Sequence, residues 1–203
     1  MNEVQGSQEW HNARLGKVTA SRINDVLSWT KKGESVTRAR YRDELVKQRT
    51  TGEATSIPVN SHMQRGLDFE SVAREMYQNE RNVSVQEVGF INHPTIEMSG
   101  ASPDGCIGED GLIEIKCPTE PNHLATIVNG EAPTRYFSQI QWQLSCTGRD
   151  WCDFVSLCLD APAGLELFIV RVYRSDDWIK DTESAVVVFL AEVDNQFKKI
   201  KGE

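Results

Sequence analysis

Asp104 precedes the pair Glu114 and Lys116 by a gap of nine residues, and residues of these types at this spacing can do chemistry on a phosphate. Asp104 lies in the turn-rich run Ser102-Pro103-Asp104-Gly105, where the glycine leaves room for a metal or phosphate close to the backbone. Side chains alternate along a strand, so in Gly111 to Lys116 the acid and the base share one face while Ile113 and Ile115 share the other. The isoleucines go into the core and the charged face is presented to a site. Hard Mg²⁺ takes oxygen ligands, usually one or two carboxylates with water and substrate phosphate completing the shell, and Asp104 and Glu114 are ligands of that kind. Spacing alone also allows a plainer reading, an amphipathic strand with a surface Glu and Lys beside an Asp in a turn.

A third acid weighs against the plainer reading. On a helix at about 100° per residue, Glu70 falls on the stripe of Met63, Leu67 and Tyr77, the face expected to pack on the sheet. An unpaired buried charge is expensive, so Glu70 needs a cation. A metal held by Asp104 and Glu114 is one candidate, and a salt bridge to a nearby Arg is the other.

The elements that position these residues follow from periodicity and punctuation. Ser7 caps a short helix through Arg14, a second helix covers Thr19 to Ser28, and a third runs from Thr37 to Arg49 before the Thr-Gly-Glu break. A longer helix spans Ser61 to Asn79. Strands are expected at Val83 to Ile91 and Gly111 to Lys116, separated by the Asp104 turn. Pro133 and Thr134 open a helix through Cys146. Strands at Trp151 to Leu159 and Leu165 to Tyr173 follow, and Ser175 caps a last helix reaching Ile200. The result is an α/β layered fold, a central mixed sheet flanked by helices. With 203 residues, no internal repeat and no Pro/Gly-rich linker, one domain over 1–203 is expected.

The net charge of −8 argues against a protein that coats nucleic acid indiscriminately. Positive charge is local: residues 31–49 carry Lys31, Lys32, Arg38, Arg40, Arg42, Lys47 and Arg49 against Glu34, Asp43 and Glu44. The stretch reads either as a confined DNA track that Lys31 and Lys32 open, or as a solvated helix face. No run approaches the roughly 18 apolar residues of a membrane span, and Met1 to Glu9 lacks a signal-peptide pattern, so a cytoplasmic protein is expected. Cys106, Cys117, Cys146, Cys152 and Cys158 are odd in number and contain no CxxC pair, which suggests reduced core thiols. His11, His62, His93 and His123 follow no metal-ligand spacing. Trp10 is either a core anchor or a platform for a base.

Taken together, several segments resemble the phage λ exonuclease and YqaJ-type viral recombinase family of the PD-(D/E)xK nuclease superfamily. They are Trp10 to Gly16 with Thr19-Ala20-Ser21, Arg65-Gly66 through Glu70, Ser102 to Gly105, Glu114 to Pro118, and Gln139-Ile140-Gln141. PD and ExK alone are weak signatures, but these five elements occur in order over about two thirds of the chain. Length and loops depart from the λ enzyme around Thr30 to Val36 and before Glu70.

The resemblance implies a PD-(D/E)xK core and a 5′-to-3′ exodeoxyribonuclease acting on ends of linear double-stranded DNA. Such an enzyme hydrolyses one strand and leaves a 3′ single strand for recombination by a single-strand annealing partner. It also implies a ring-shaped homotrimer and two Mg²⁺ ions, with Mn²⁺ able to substitute. By the same resemblance Asp104 bridges both ions, Glu114 and the Ile115 carbonyl complete one, and Glu70 serves the other. Lys116 orients water or offsets phosphate charge, and Gln141 positions the water or the scissile phosphate. Arg14, Ser21 and Ser102, with Thr19 beside them, look like a pocket for the terminal 5′-phosphate. Met63 matches in position an apolar wedge that parts the strands, although simple packing would also place it there. Two other functions share these residues: an endonuclease of the same superfamily, and a DNA-end binding module without catalysis. The gathered acids disfavour the second, since a pure binder has no use for them where phosphate lies.

Overall fold

The computed structural model describes residues 4–55 and 60–202, apart from the side chains of His62 and Met63. Helix α1 (Gln8–Arg14) starts at Ser7, whose hydroxyl accepts from the Trp10 amide at 3.2 Å, as its type and position predict. Next come β1 (Val18–Thr19), a 3-10 turn (Ala20–Arg22), α2 (Ile23–Val26), and a hairpin of β2 (Trp29–Thr30) and β3 (Gly33–Glu34). Helices α3 (Val36–Thr51) and α4 (Ser61–Arg81) follow. Ser35 caps α3, and Gly52 ends it in the left-handed conformation that glycine adopts freely. The chain continues with β4 (Val85–Gln86), β5 (Ile91–Asn92), β6 (Ser99–Ala101), β7 (Gly105–Ile107), β8 (Gly111–Lys116), α5 (Glu120–Asn129) and α6 (Thr134–Thr147). It finishes with β9 (Trp151–Leu157), β10 (Leu167–Tyr173) and α7 (Asp176–Lys201).

Five strands form the main sheet in the order β10-β9-β8-β7-β4, with β8 and β9 parallel and the other neighbours antiparallel. A smaller sheet, β1-β6-β5, lies beside it. Helix α4 covers one face of the main sheet, where Ala73 and Tyr77 pack on Ile113, Ile115 and Val155. Helix α6 covers the other, with Ile140 and Leu144 on Leu112 and Phe154. A third cluster, including Ile23, Tyr41, Leu45, Trp142, Phe189 and Val193, binds α2, α3, α6 and α7 together. The architecture is the mixed sheet between helices that the sequence suggests. Among the described residues, no helix is long and apolar enough to cross a membrane, and all five cysteines are free.

Several local expectations change. Thr19 to Ser28 is not one helix: the β-branched pair Val18 and Thr19 joins β6, with the Val18 amide donating to the Met98 carbonyl at 2.9 Å. The run Val83 to Ile91 splits into β4 and β5, which belong to different sheets. The three-residue strands β6 and β7 are buried along their whole length and so carry no alternation. The space at Gly105 serves packing rather than a ligand. A Cβ there would collide with the Val85 side chain and stand 3.2 Å from the Gln86 carbonyl.

Candidate active site

Strand β8 is buried on both faces from Gly111 to Ile115, so its charged face is not open in the way strand alternation suggests. Glu114 points with Leu112 toward α6 and is 0% exposed, which removes the reading of a surface acid on an amphipathic strand. A carboxylate so placed needs donors, and it has three. Gln139 Nε2 donates to Oε1 at 2.6 Å, Gln143 Nε2 donates to Oε2 at 2.6 Å, and the Lys116 ammonium pairs with Oε1.

Asp104 approaches from the edge of the same strand. β7 begins at Gly105, paired with Ile113, so residues 114 to 116 have no antiparallel neighbour on that side. The Asp104 side chain takes the vacant place, and its Oδ2 accepts from the Ile115 amide at 2.6 Å. The amide and carbonyl of one strand residue face the same edge, so the Ile115 carbonyl is turned toward Asp104 as well. Burial, then the nearby Glu114 charge, pushes the Asp104 carboxyl well above its usual range, and Lys116 and the Ile115 amide offset this only in part. For Lys116, burial opposes the charge, but Glu114 and Asp104 outweigh it and hold the ammonium firmly protonated.

Glu70 adds a third acid from α4. It is half-buried, and Arg74 NH2 donates to its Oε1 at 2.6 Å, so the arginine partner foreseen as one alternative is present. It is not isolated from the centre, however. Burial raises its pKa most, Arg74 and Lys116 lower it, and Glu114 raises it again. The face of α4 that meets the sheet is Phe69, Val72, Ala73, Met76 and Tyr77, whereas Leu67 is 66% exposed. Glu70 therefore borders the packed face, next to a cleft.

Three acids face two bases here, and the donors are hard oxygens, so the residues fit a divalent cation. Among the described residues, no three acidic, histidine or cysteine side chains already surround one point. The oxygens that could hold a cation are the Asp104 and Glu114 carboxylates and the Ile115 carbonyl, with the Glu70 carboxylate, now paired with Arg74, beyond them.

Gln141 does not reach this centre. Its Nε2 donates to the Tyr173 carbonyl at 2.8 Å and its Oε1 accepts from the Ser175 amide at 2.8 Å, so it ties α6 to the start of α7. The glutamines of α6 that reach this centre are Gln139 and Gln143, through Glu114. Helical spacing contains the signal: 139 and 143 share a face, and 141 lies about 200° away from 139.

Glu70 also lines a cleft of about 1170 Å³, whose other walls include Trp10, Arg14, Thr19, Ser21 and Arg74. Arg14 stacks on the Trp10 ring at 3.9 Å and meets no carboxylate among the described residues. Burial lowers its pKa to about 10, with Tyr41 offsetting part of the effect. Thr19 Oγ1 and Ser21 Oγ lie 3.5 Å apart. Ser102 stands behind this wall, where its Oγ accepts from the Trp10 indole at 2.9 Å. Helix α1 buries no residue fully, so Trp10 is held by this bond and by Arg14 rather than by a core. Gln5 also grips the Asp104 turn, donating to the Pro103 carbonyl at 2.8 Å and the Val88 carbonyl at 3.2 Å.

Much of the basic segment is consumed internally. Arg38 and Arg42 share Glu34 and Glu192, and Arg49 pairs with Asp194. Lys31 and Lys32 remain exposed at the β2–β3 turn, outside the cleft. Met63 lies in α4, but its side chain is outside the described residues. His93 and His123 are buried and hydrogen-bonded, and neither belongs to the acidic centre.

Comparison with known proteins places these residues in a family. The model of the YqaJ-like viral recombinase domain matches residues 9–150. The fold superposes on the crystal structure of an alkaline exonuclease (LHK-Exo) from Laribacter hongkongensis with a TM-score of 0.89, at 46% identity and covering 96% of each chain. LHK-Exo in complex with dAMP gives a TM-score of 0.90 at the same identity and coverage. Uncharacterized protein R354 of Acanthamoeba polyphaga mimivirus is 27% identical over 179 residues, which are 81% of this chain and 31% of that relative, so the chain spans about a third of the relative's length. The matched segment runs from α1 through α6 and contains Arg14, Glu70, Asp104, Glu114, Lys116 and both glutamines that hold Glu114: the chain belongs to the YqaJ-like viral recombinase domain family.

Proposed function

We propose that this chain is a Mg²⁺-dependent 5′-to-3′ exodeoxyribonuclease that digests one strand of duplex DNA from an end. The observation that carries the reading is the pairing of two sites, an acidic centre with one lysine and, beside Glu70, a cleft holding a half-buried arginine that meets no acid among the described residues. An endonuclease has no need of a pocket for a terminal phosphate, and an end-binding module has no need of the acids. The likeness to an alkaline exonuclease at 46% identity supports the same activity. So does that enzyme's complex with dAMP, since a deoxynucleoside monophosphate is what stepwise hydrolysis of DNA releases.

In this reading Asp104, Glu114 and the Ile115 carbonyl would hold one Mg²⁺, and Glu70 with Asp104 would serve a second. Mn²⁺ can replace either. When bound, the ions polarise the phosphoryl group and lower the pKa of the attacking water. Lys116 places its ammonium where it orients that water or balances phosphate charge. Gln139 and Lys116 fix one oxygen of Glu114. Arg14, with the Thr19 and Ser21 hydroxyls, grips the terminal phosphate, and its planar fork suits a group with paired acceptor oxygens. Ser102 acts behind them through Trp10. Lys31 and Lys32 contact the DNA backbone, and Met63 parts the strands at the end. Three copies form a ring around the duplex, and the 3′ single strand passes to an annealing protein.

Linear DNA labelled at either end, beside a covalently closed circle, tests the activity. The expected result is loss of the 5′ label as mononucleotide with Mg²⁺, no digestion in EDTA, and an intact circle. Cutting of the circle would favour an endonuclease, and binding without digestion would favour the end-binding module.

A further inference from the structure

Glu114 has donors on both oxygens, but they are unequally shared. An ionised carboxylate offers about four lone-pair positions, two on each oxygen. Gln139 and Lys116 both engage Oε1, whereas Oε2 receives Gln143 alone. Oε2 therefore keeps the one position left for a cation. Gln143 is itself 0% exposed, and its Oε1 is buried without a hydrogen-bond partner among the described residues. A glutamine that leaves its own acceptor unsatisfied in the interior carries a cost of that group's desolvation. An apolar side chain of the same length would fill the space without that cost, so packing does not account for an amide here. What the amide supplies is a donor to Oε2.

We infer that Gln143 is a positioning residue for the metal: by occupying one lone pair of Glu114 Oε2, it turns the remaining lone pair of that oxygen toward the cation. The inference rests on the metal-centre reading above. Gln139 has a separate task, since the oxygen it holds is already filled by Lys116. The neighbouring glutamine on the opposite face, Gln141, has a backbone partner on both its nitrogen and its oxygen and is assigned no part in metal binding. Partners of metal ligands that are not themselves ligands typically contribute 10- to 100-fold in metal affinity.

Mn²⁺ binding to the DNA-free protein, followed by calorimetry, separates this role from catalysis. Wild type, Asp104→Asn and Gln143→Met are compared, with thermal melting of each metal-free protein as the check on folding. The expected result is binding by wild type, its loss in Asp104→Asn, and affinity lowered on the order of 10- to 100-fold in Gln143→Met, whose metal-free fold is kept. Wild-type affinity in Gln143→Met, with Asp104→Asn still deficient, would overturn the positioning role and leave the metal centre standing. Equal binding by wild type and Asp104→Asn would overturn the metal centre and this inference with it. If Gln143→Met does not fold, Gln143→Asn, which withdraws the amide by one methylene, is used in its place, and unchanged affinity there overturns the inference equally.

Discussion

The Arg14 guanidinium lies 3.9 Å from the centroid of the Trp10 ring, and the indole nitrogen of the same residue donates to Ser102, two residues before Asp104. Arg14, the proposed grip on a terminal phosphate, is thus joined through one aromatic residue to the turn that carries Asp104, a proposed metal ligand. Arg14→Ala is expected to erase most of the rate difference between 5′-phosphorylated and 5′-hydroxyl ends, and Arg14→Lys to restore only part of it. Initial rates on the two duplexes decide this, and an unchanged preference in Arg14→Ala would remove the phosphate pocket.

Asp104→Asn and Glu114→Gln are both expected to abolish cleavage but to shift metal-free stability in opposite directions. Folding raises the Asp104 pKa, so its charged form is penalised in the native state and stability falls as pH rises from the unfolded value toward the folded one. At neutral pH the asparagine removes that penalty, and the melting temperature should rise or hold. In Glu114→Gln the buried carboxylate that pairs with Lys116 is lost, at roughly 1–3 kcal/mol. Lys116→Ala is also expected to be inactive. Melting curves in EDTA beside cleavage assays give both quantities, and cleavage near wild type in any of the three would contradict the proposed chemistry.

Asp153 anchors α4, and with it Glu70, to the sheet. It is 1% exposed and accepts from the Tyr77 hydroxyl at 2.7 Å and from Arg171 at 2.8 and 3.0 Å. Asp153→Ala leaves the Tyr77 hydroxyl buried without its acceptor, so a loss of roughly 1–3 kcal/mol is expected in denaturant titration. Arg171 is 40% exposed at its side chain and can turn to water, so it adds little to this figure.

His93 should make the fold acid-sensitive. Its Nδ1 accepts from the Ile96 amide at 3.1 Å and the Thr95 amide at 3.3 Å, so the proton sits on Nε2, facing Ser145 and Glu183. Burial lowers its pKa, and Glu183 offsets this only in part. The unfolded chain therefore takes up the proton first. Stability is complete above the unfolded value near 6.5 and declines as pH falls from there toward the folded pKa, by at most about 1.4 kcal/mol per pH unit for one proton. His93→Gln should flatten the fall of melting temperature between pH 7 and 5, and an unaltered slope would assign acid sensitivity to other groups.

The ring proposal predicts a sedimenting species of about three times 22.9 kDa. Most arginines of the 31–49 segment are paired internally, so exposed Lys31 and Lys32 should supply a visible share of DNA electrostatics. Replacing both with Ala should reduce the salt dependence of DNA binding by roughly one to two units of slope. A monomer at working concentration would exclude the ring.

The acidic centre was legible in the sequence because its three parts lie on a turn, a strand and a helix face, each with its own local pattern. Strand alternation put Glu114 and Lys116 together, and they are an ion pair. It could not tell that α6 covers that face, because burial of a charged side chain depends on donors 25 and 29 residues away. The same gap misplaced the glutamine. The motif Gln139-Ile140-Gln141 was visible, but only the spacing of 139 and 143, read as a helix lying on β8, selects the pair that reaches Glu114. Helix α3 was recognisable from its turn residues, within two residues of its ends. Strands of two or three residues were not, since they are too short to show alternation, and β1 and β4 are defined by partners far along the chain.

Three glutamines on α6 thus face two ways: Gln139 and Gln143 toward Glu114, and Gln141 toward the junction of β10 and α7. Each added or deleted residue turns the rest of a helix by about 100°. An insertion between 139 and 141 that leaves Gln139 on Glu114 would therefore turn Gln141 and Gln143 away together, stripping the carboxylate of one amide and the junction of its tie in the same event, and no single later substitution would repair both. Over evolutionary time, change in α6 should proceed by replacement and never by a change of length, while the exposed β2–β3 turn, which carries no such double obligation, is free to lengthen or shorten among relatives.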